Sequence, residues 1–129
     1  MSYYLTKTIN ADFTEAREKI TEALKEQGFG VLTEIDLKAT LKKKLDVDFK
    51  NYVILGACNP NFAYRALQEE DKIGIMLPCN VTVIDQGDGQ IEISIVDPAT
   101  MLSPVENSKL EPFAAEVRVM LDTALNNVN

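Results

Sequence analysis

From residue 13 the apolar positions fall at Phe13, Ala16, Ile20, Ala23 and Leu24, with Glu15, Arg17, Glu18, Lys19, Glu22 and Lys25 between them. That spacing traces one stripe of a 3.6-residue helix. Asp12 stands where an N-cap belongs, Glu15 follows three residues on, and Gly28 fits the position just past the end. Ahead of this helix, Tyr3 to Ile9 is rich in aromatic and β-branched residues and reads as a strand. Phe29 to Ile35 reads as a second strand. Asp36 then caps a short helix through Leu45, with Leu37, Leu41 and Leu45 on one stripe. Tyr52 to Ala57 is almost wholly apolar, so a strand buried on both faces is expected there. Asn59-Pro60 looks like the cap and first position of a helix running through Phe62, Ala63, Ala66 and Leu67 to about Glu70.

After Gly74 and Pro78, Val81 to Ile84 forms a strand, Gln86-Gly87-Asp88-Gly89 a turn, and Gln90 to Val96 a strand that alternates through Ile91, Ile93 and Ile95. Asp97-Pro98 ends it, and Pro104 and Pro112 mark irregular chain or the first turn of a last helix. That helix carries Phe113, Ala114, Val117, Met120, Leu121, Ala124, Leu125 and Val128 on its apolar side. The resulting order, β α β α β α β β α, mixes helices and strands, and the late hairpin requires at least one antiparallel pair. The expected fold class is α+β: a single mixed or antiparallel sheet of about five strands, with helices packed mainly on one face. The 129 residues show no linker or repeat and are expected to form one domain, residues 1–129.

Composition changes the picture mainly by exclusion. The 13 basic and 20 acidic side chains leave a net charge of −7, which argues against a nucleic-acid partner. The chain has no histidine, so Ser-His-Asp and Cys-His nucleophiles, histidine proton shuttles and histidine metal ligands are absent. Carboxylates and lysines remain as potential acids and bases, so an enzyme is not excluded. No apolar run approaches the ~20 residues of a membrane span, and no basic segment leads into an apolar one near the start. With two cysteines 21 positions apart and matching no metal-pair or Cys-x-x-Cys pattern, a reduced cytoplasmic protein without a membrane partner is expected.

Two segments stand out as candidate chemistry: Gly56-Ala57-Cys58-Asn59-Pro60 and Leu77-Pro78-Cys79-Asn80-Val81. Each places Cys-Asn beside a proline at a strand end, where sites are commonly built on a rigid sheet. The candidate site is therefore Cys58, Asn59, Pro60, Pro78, Cys79 and Asn80. Cys58 falls just before a helix N-terminus, whose dipole favours a thiolate, yet cysteine also serves simply to fill a core. Two thiolates without histidine make an incomplete zinc site, and no metal is expected. Lys38 with Lys42-Lys43-Lys44 fans around a solvated helix face, and Asp36, Glu92 and Asp97 are read as caps and strand-edge charges. The Gln86–Gly89 segment lacks the lysine and following helix of a phosphate loop. Tyr52 and Tyr64 are read as packing residues that could also line a pocket.

The run Asp36-Leu37-Lys38-Ala39-Thr40-Leu41-Lys42, the Tyr52–Pro60 strand and turn, Ala63, Ala66-Leu67, Gly74 and Leu77–Val81 together resemble the bacterial and archaeal domain of unknown function 302 family. The two Cys-Asn segments are the most specific part of the match, which extends from about Tyr3 to Leu125. The resemblance implies a compact α+β fold, loosely similar to the TATA-binding-protein-like sandwich, and a homodimer. Members occur near sulfur or redox metabolism genes, which hints at thiol chemistry. Relatives often carry a histidine soon after the first segment; Tyr64 falls in that region here, which argues against a histidine-dependent metal or haem site. The family supplies no catalytic residues and no cofactor, so three readings remain open. The first is a dimeric module binding a small ligand or a partner near Cys58 and Cys79, with both thiols partly exposed. The second is a thiol redox or soft-metal protein using the same cysteines. The third is a structural or assembly protein in which both are buried and inert.

Overall fold

In a computed structural model, which describes residues 2–129, the chain forms five strands and five α-helices joined by 3-10 turns. In order these are β1 (Tyr4–Asn10), α1 (Phe13–Glu26), β2 (Gly30–Asp36), α2 (Leu37–Leu45), β3 (Tyr52–Cys58), α3 (Pro60–Glu69), β4 (Cys79–Asp85), β5 (Gln90–Val96), α4 (Pro98–Leu102) and α5 (Glu111–Asn126). The strands make one sheet in the order β1-β5-β4-β3-β2, with every neighbouring pair antiparallel. The fold is thus α+β with a single antiparallel sheet.

The sheet's alternation sets two unlike faces. On the inner face, Ile93 pairs across to Val83 and Val83 to Val53, while Ile95, Val81 and Leu55 form the next row. These side chains are buried against Ala16, Ile20 and Leu24 of α1 and Val117, Leu121 and Ala124 of α5. Burying each large aliphatic side chain contributes about 1.5–3 kcal/mol. Polar groups close the edges of this layer. Lys7 lies on the inner face of β1 opposite Ile93, and its Nζ donates to the carbonyls of Asn126 (3.2 Å) and Val128 (2.5 Å). A cation therefore sits on the negative end of α5. At the opposite edge, Arg17 of α1 donates to Glu34 of β2 at 2.6 Å, and this hydrogen bond raises the guanidinium's pKa.

The outer face carries Thr6, Ser94, Thr82, Ile54 and Ile35 in one row across all five strands. Among the described residues, α1 and α5 pack on the opposite face. Tyr52 and Ile54 are only half-buried, so β3 is not buried on both faces as its apolar sequence suggests. Its outer residues Tyr52 and Ile54 are apolar yet only half-covered within one copy of the chain.

Most local signals act as read. Asp36 caps α2, its Oδ1 accepting from Ala39 N at 3.0 Å, and Gly28 ends α1 at φ +84°. The hairpin turn uses positive φ at Gly87, Asp88 and Gly89. Others differ. Asp12 and Asn59 hold the N-cap positions of α1 and α3 without a side-chain capping bond. The Leu37-Leu41-Leu45 stripe of α2 buries no residue, so α2 is a surface helix with Lys42 paired to Asp46 and Asp48. The predicted order lacks α4, five residues long, which Asp97 and Pro98 start: Asp97 Oδ1 accepts from Ala99 N at 3.0 Å and its Oδ2 from Arg118 Nε of α5 at 3.1 Å. Among the described residues, no helix is long and apolar enough to cross a membrane.

Candidate functional site

Beside the main core lies a second, smaller cluster, made by Ala66 of α3, Ile73 of the following turn and Leu110 before α5, with Leu77, Leu102 and Phe113 against them. The two clusters do not merge completely. At their seam is a cavity of about 50 Å³. Phe29, Ala57 and Cys79 wall it from the sheet side; Phe62, Ala63 and Met101 are among the residues that wall it from the helices. Cys58 and Asn59 stand at the same cavity, so the end of β3 and the start of β4 both reach it. This follows from register: Ala57 is directly opposite Cys79, one step before Cys58.

Three of the six candidate residues thus meet at one place, Cys58, Asn59 and Cys79, and three do not. Asn80 follows Cys79 on the strand and so faces outward, onto the groove floored by Thr82 and Ile84. Pro78 packs over Gly56, where an added Cβ would lie 2.7 Å from its ring. Pro60 opens α3 and is not among the residues lining the cavity. The expectation that both thiols are partly exposed holds for Cys58 alone. Cys79 is 7% exposed, because as the first residue of β4 its side chain faces the core.

Burial governs the chemistry of both thiols. It pushes Cys58 above its ordinary value and pushes Cys79 up to about 11, with the neighbouring Cys58 adding to the second shift. Both therefore stand as neutral thiols near pH 7, despite the helix that follows Cys58. Asn59, itself buried, donates from Nδ2 to the carbonyl of Gln27 at 3.5 Å and so ties the start of α3 to the end of α1. Among the described residues, no three cysteine or carboxylate side chains gather closely enough to hold a metal ion. Asp36 and Asp97 are helix caps at separate places, and Glu92 lines the outer groove, so the three carboxylates do not converge. Tyr52 lines that same groove, while Tyr64 is 66% exposed.

Sequence reading missed the helical half of the cavity. Met101 and Pro98 come from α4, and Phe113 and Val117 from α5. It also missed Arg65, whose guanidinium carbon lies 5.4 Å from the ring centre of Phe62 and 4.7 Å from that of Phe113. The only signal was an arginine amid the apolar residues of α3.

A two-layer α+β domain, with an apolar seam cavity edged by two neutral thiols, is what the fold and site define. More particularly, the chain belongs to the family described as Domain of unknown function DUF302, whose profile matches residues 5–128. It is similar to an uncharacterized conserved protein of that family from Bacillus stearothermophilus. That protein's crystal structure gives a TM-score of 0.92 at 30% identity, with the match covering 100% of each chain. No curated protein matches the chain.

Proposed function

We propose that the chain is a small-molecule binding module, working as a homodimer, whose ligand enters the seam cavity beside Cys58 and Cys79. The cavity carries this reading. A space of about 50 Å³ holds roughly three to five heavy atoms, counting one water-sized probe as 10–15 Å³. Its walls are almost entirely hydrocarbon and sulfur, so the inserted part of the ligand is apolar. Cys58, half-open at the edge, offers a soft contact to that part. Two thiols raised by burial favour binding over nucleophilic or redox use of a thiolate.

Xenon, which enters dry apolar cavities, provides the test. Under xenon pressure the methyl signals of Ala57, Ala63 and Met101 should shift together and saturate. In Ala63→Leu, which fills the seam, the Ala57 and Met101 signals should stay still. Unmoved signals in the unaltered protein would mean a closed packing defect, and the binding reading fails. Rapid alkylation of Cys58 near pH 7 would instead favour the thiol-chemistry alternative. Self-association rests on the outer sheet face, where Ile35 is 47% and Tyr4 42% exposed and the Tyr52 ring is half-buried.

A further inference from the structure

We infer that the ligand of the seam cavity carries a carboxylate, held outside the cavity mouth by Arg65; this names the ligand class for the binding reading above and rests on it. The chain has three arginines among 20 carboxylates. Arg17 is paired with Glu34 at 2.6 Å and Arg118 with Asp97 at 3.1 Å. Among the described residues Arg65 has no carboxylate within ion-pair distance. Glu69, one turn further along α3, is engaged by Lys109 at 3.7 Å. Although Arg65 is exposed, its guanidinium carbon lies over the rings of Phe62 and Phe113, and both rings wall the cavity. Those cation–π contacts hold it beside the cavity wall, and among the described residues its nitrogens donate to no side chain.

This arrangement fits one kind of molecule. The apolar part, three to five heavy atoms long, lies in the seam, and a planar anion at its end meets the guanidinium fork with two parallel hydrogen bonds. One guanidinium in a molecule of net charge −7 matches a single negative charge better than a doubly charged phosphate. A straight-chain carboxylate of about four to six carbons meets both requirements.

The experiment compares pentanoate with pentanamide, its neutral analogue of equal length, by calorimetric titration of the full chain near pH 7.5. Pentanoate should bind about tenfold more tightly, the size of one charge-assisted hydrogen bond partly weakened by solvent. In Arg65→Gln the two should bind alike, the acid losing far more affinity than the amide; Arg65→Lys should keep part of the preference. Arg65 is exposed, and thermal unfolding of both variants checks that the fold persists. Equal binding of acid and amide to the unaltered protein overturns the carboxylate and leaves the cavity reading standing. Equal loss of both ligands in Arg65→Gln makes the guanidinium a brace for the rings and overturns the inference. Failure of both ligands to bind the unaltered protein overturns the inference, while the xenon response still decides the cavity reading.

Discussion

Cys58 and Cys79 occupy similar sequence contexts and unlike positions. The first sits at a strand's end, half-open; the second begins a strand and faces the core. Iodoacetamide should therefore modify Cys58 in the folded protein, slowly and faster as pH rises past 9, while Cys79 reacts only on unfolding; mass mapping of the two peptides reads this directly. Cys79 also makes stability depend on alkali. Well below pH 9.0 its thiol is protonated in the folded and unfolded chain alike, so the fold keeps its full stability. Between 9.0 and about 11 the unfolded chain releases a proton that the folded chain still holds, so stability falls as pH rises. The loss is about 2 kcal/mol across that window. Urea titrations from pH 8 to 11 should show a steeper decline in the unaltered protein than in Cys79→Ala; parallel declines would remove the thiol as the cause. The two Cys-Asn segments were visible in the sequence, and their cysteines do meet. Which neighbours accompany them was not visible, because consecutive residues on a strand face opposite ways, and Asn80 leaves the cavity for that reason alone.

Among the elements, those set by periodicity or punctuation were readable. α1 has its five apolar positions and terminal Gly28, and the β4–β5 hairpin has its glycine turn. α4 was not, because five residues are too few to show a period, although Asp97-Pro98 is a cap followed by a proline at the first helical position. Without α4 the cavity lacks Pro98, Met101 and Leu102 from its wall. β3 departs from its apolar pattern for another reason: an apolar run records which side chains avoid water, not whether one chain or two supply the cover. Within β3, Gly56 is required by close approach. An added Cβ there would collide with the Thr33 hydroxyl and lie 2.7 Å from the Pro78 ring. Gly56→Ala should cost about 1–3 kcal/mol, as overpacking does. Adding Thr33→Ala should restore only part of that, since the ring remains; full recovery in the double variant would leave Pro78 without a role.

At the scale of the molecule, α+β class and helices massed on one face followed from the order of elements, but strand order did not. Tyr4 pairs with Val96 and Asn10 with Gln90, and no local pattern announces that the first strand joins the last. The bare outer face is the feature from which self-association is expected. Sedimentation at micromolar concentration should show a dimer, and Ile54→Glu, placing a charge in the middle of the apolar half of that face, should give a folded monomer. A monomeric unaltered protein at these concentrations would end the proposal of a homodimer. The β1–β5 pairing also has a consequence during synthesis. The partners of β1 lie 80 to 92 residues further along the chain. At 5–20 residues per second a ribosome takes roughly 4–18 s to make that stretch. Throughout that interval the first strand has no backbone partner, α1 has no finished sheet to cover, and the nascent chain presents Leu5, Ile9 and Ile20 to whatever binds exposed apolar segments at the tunnel exit.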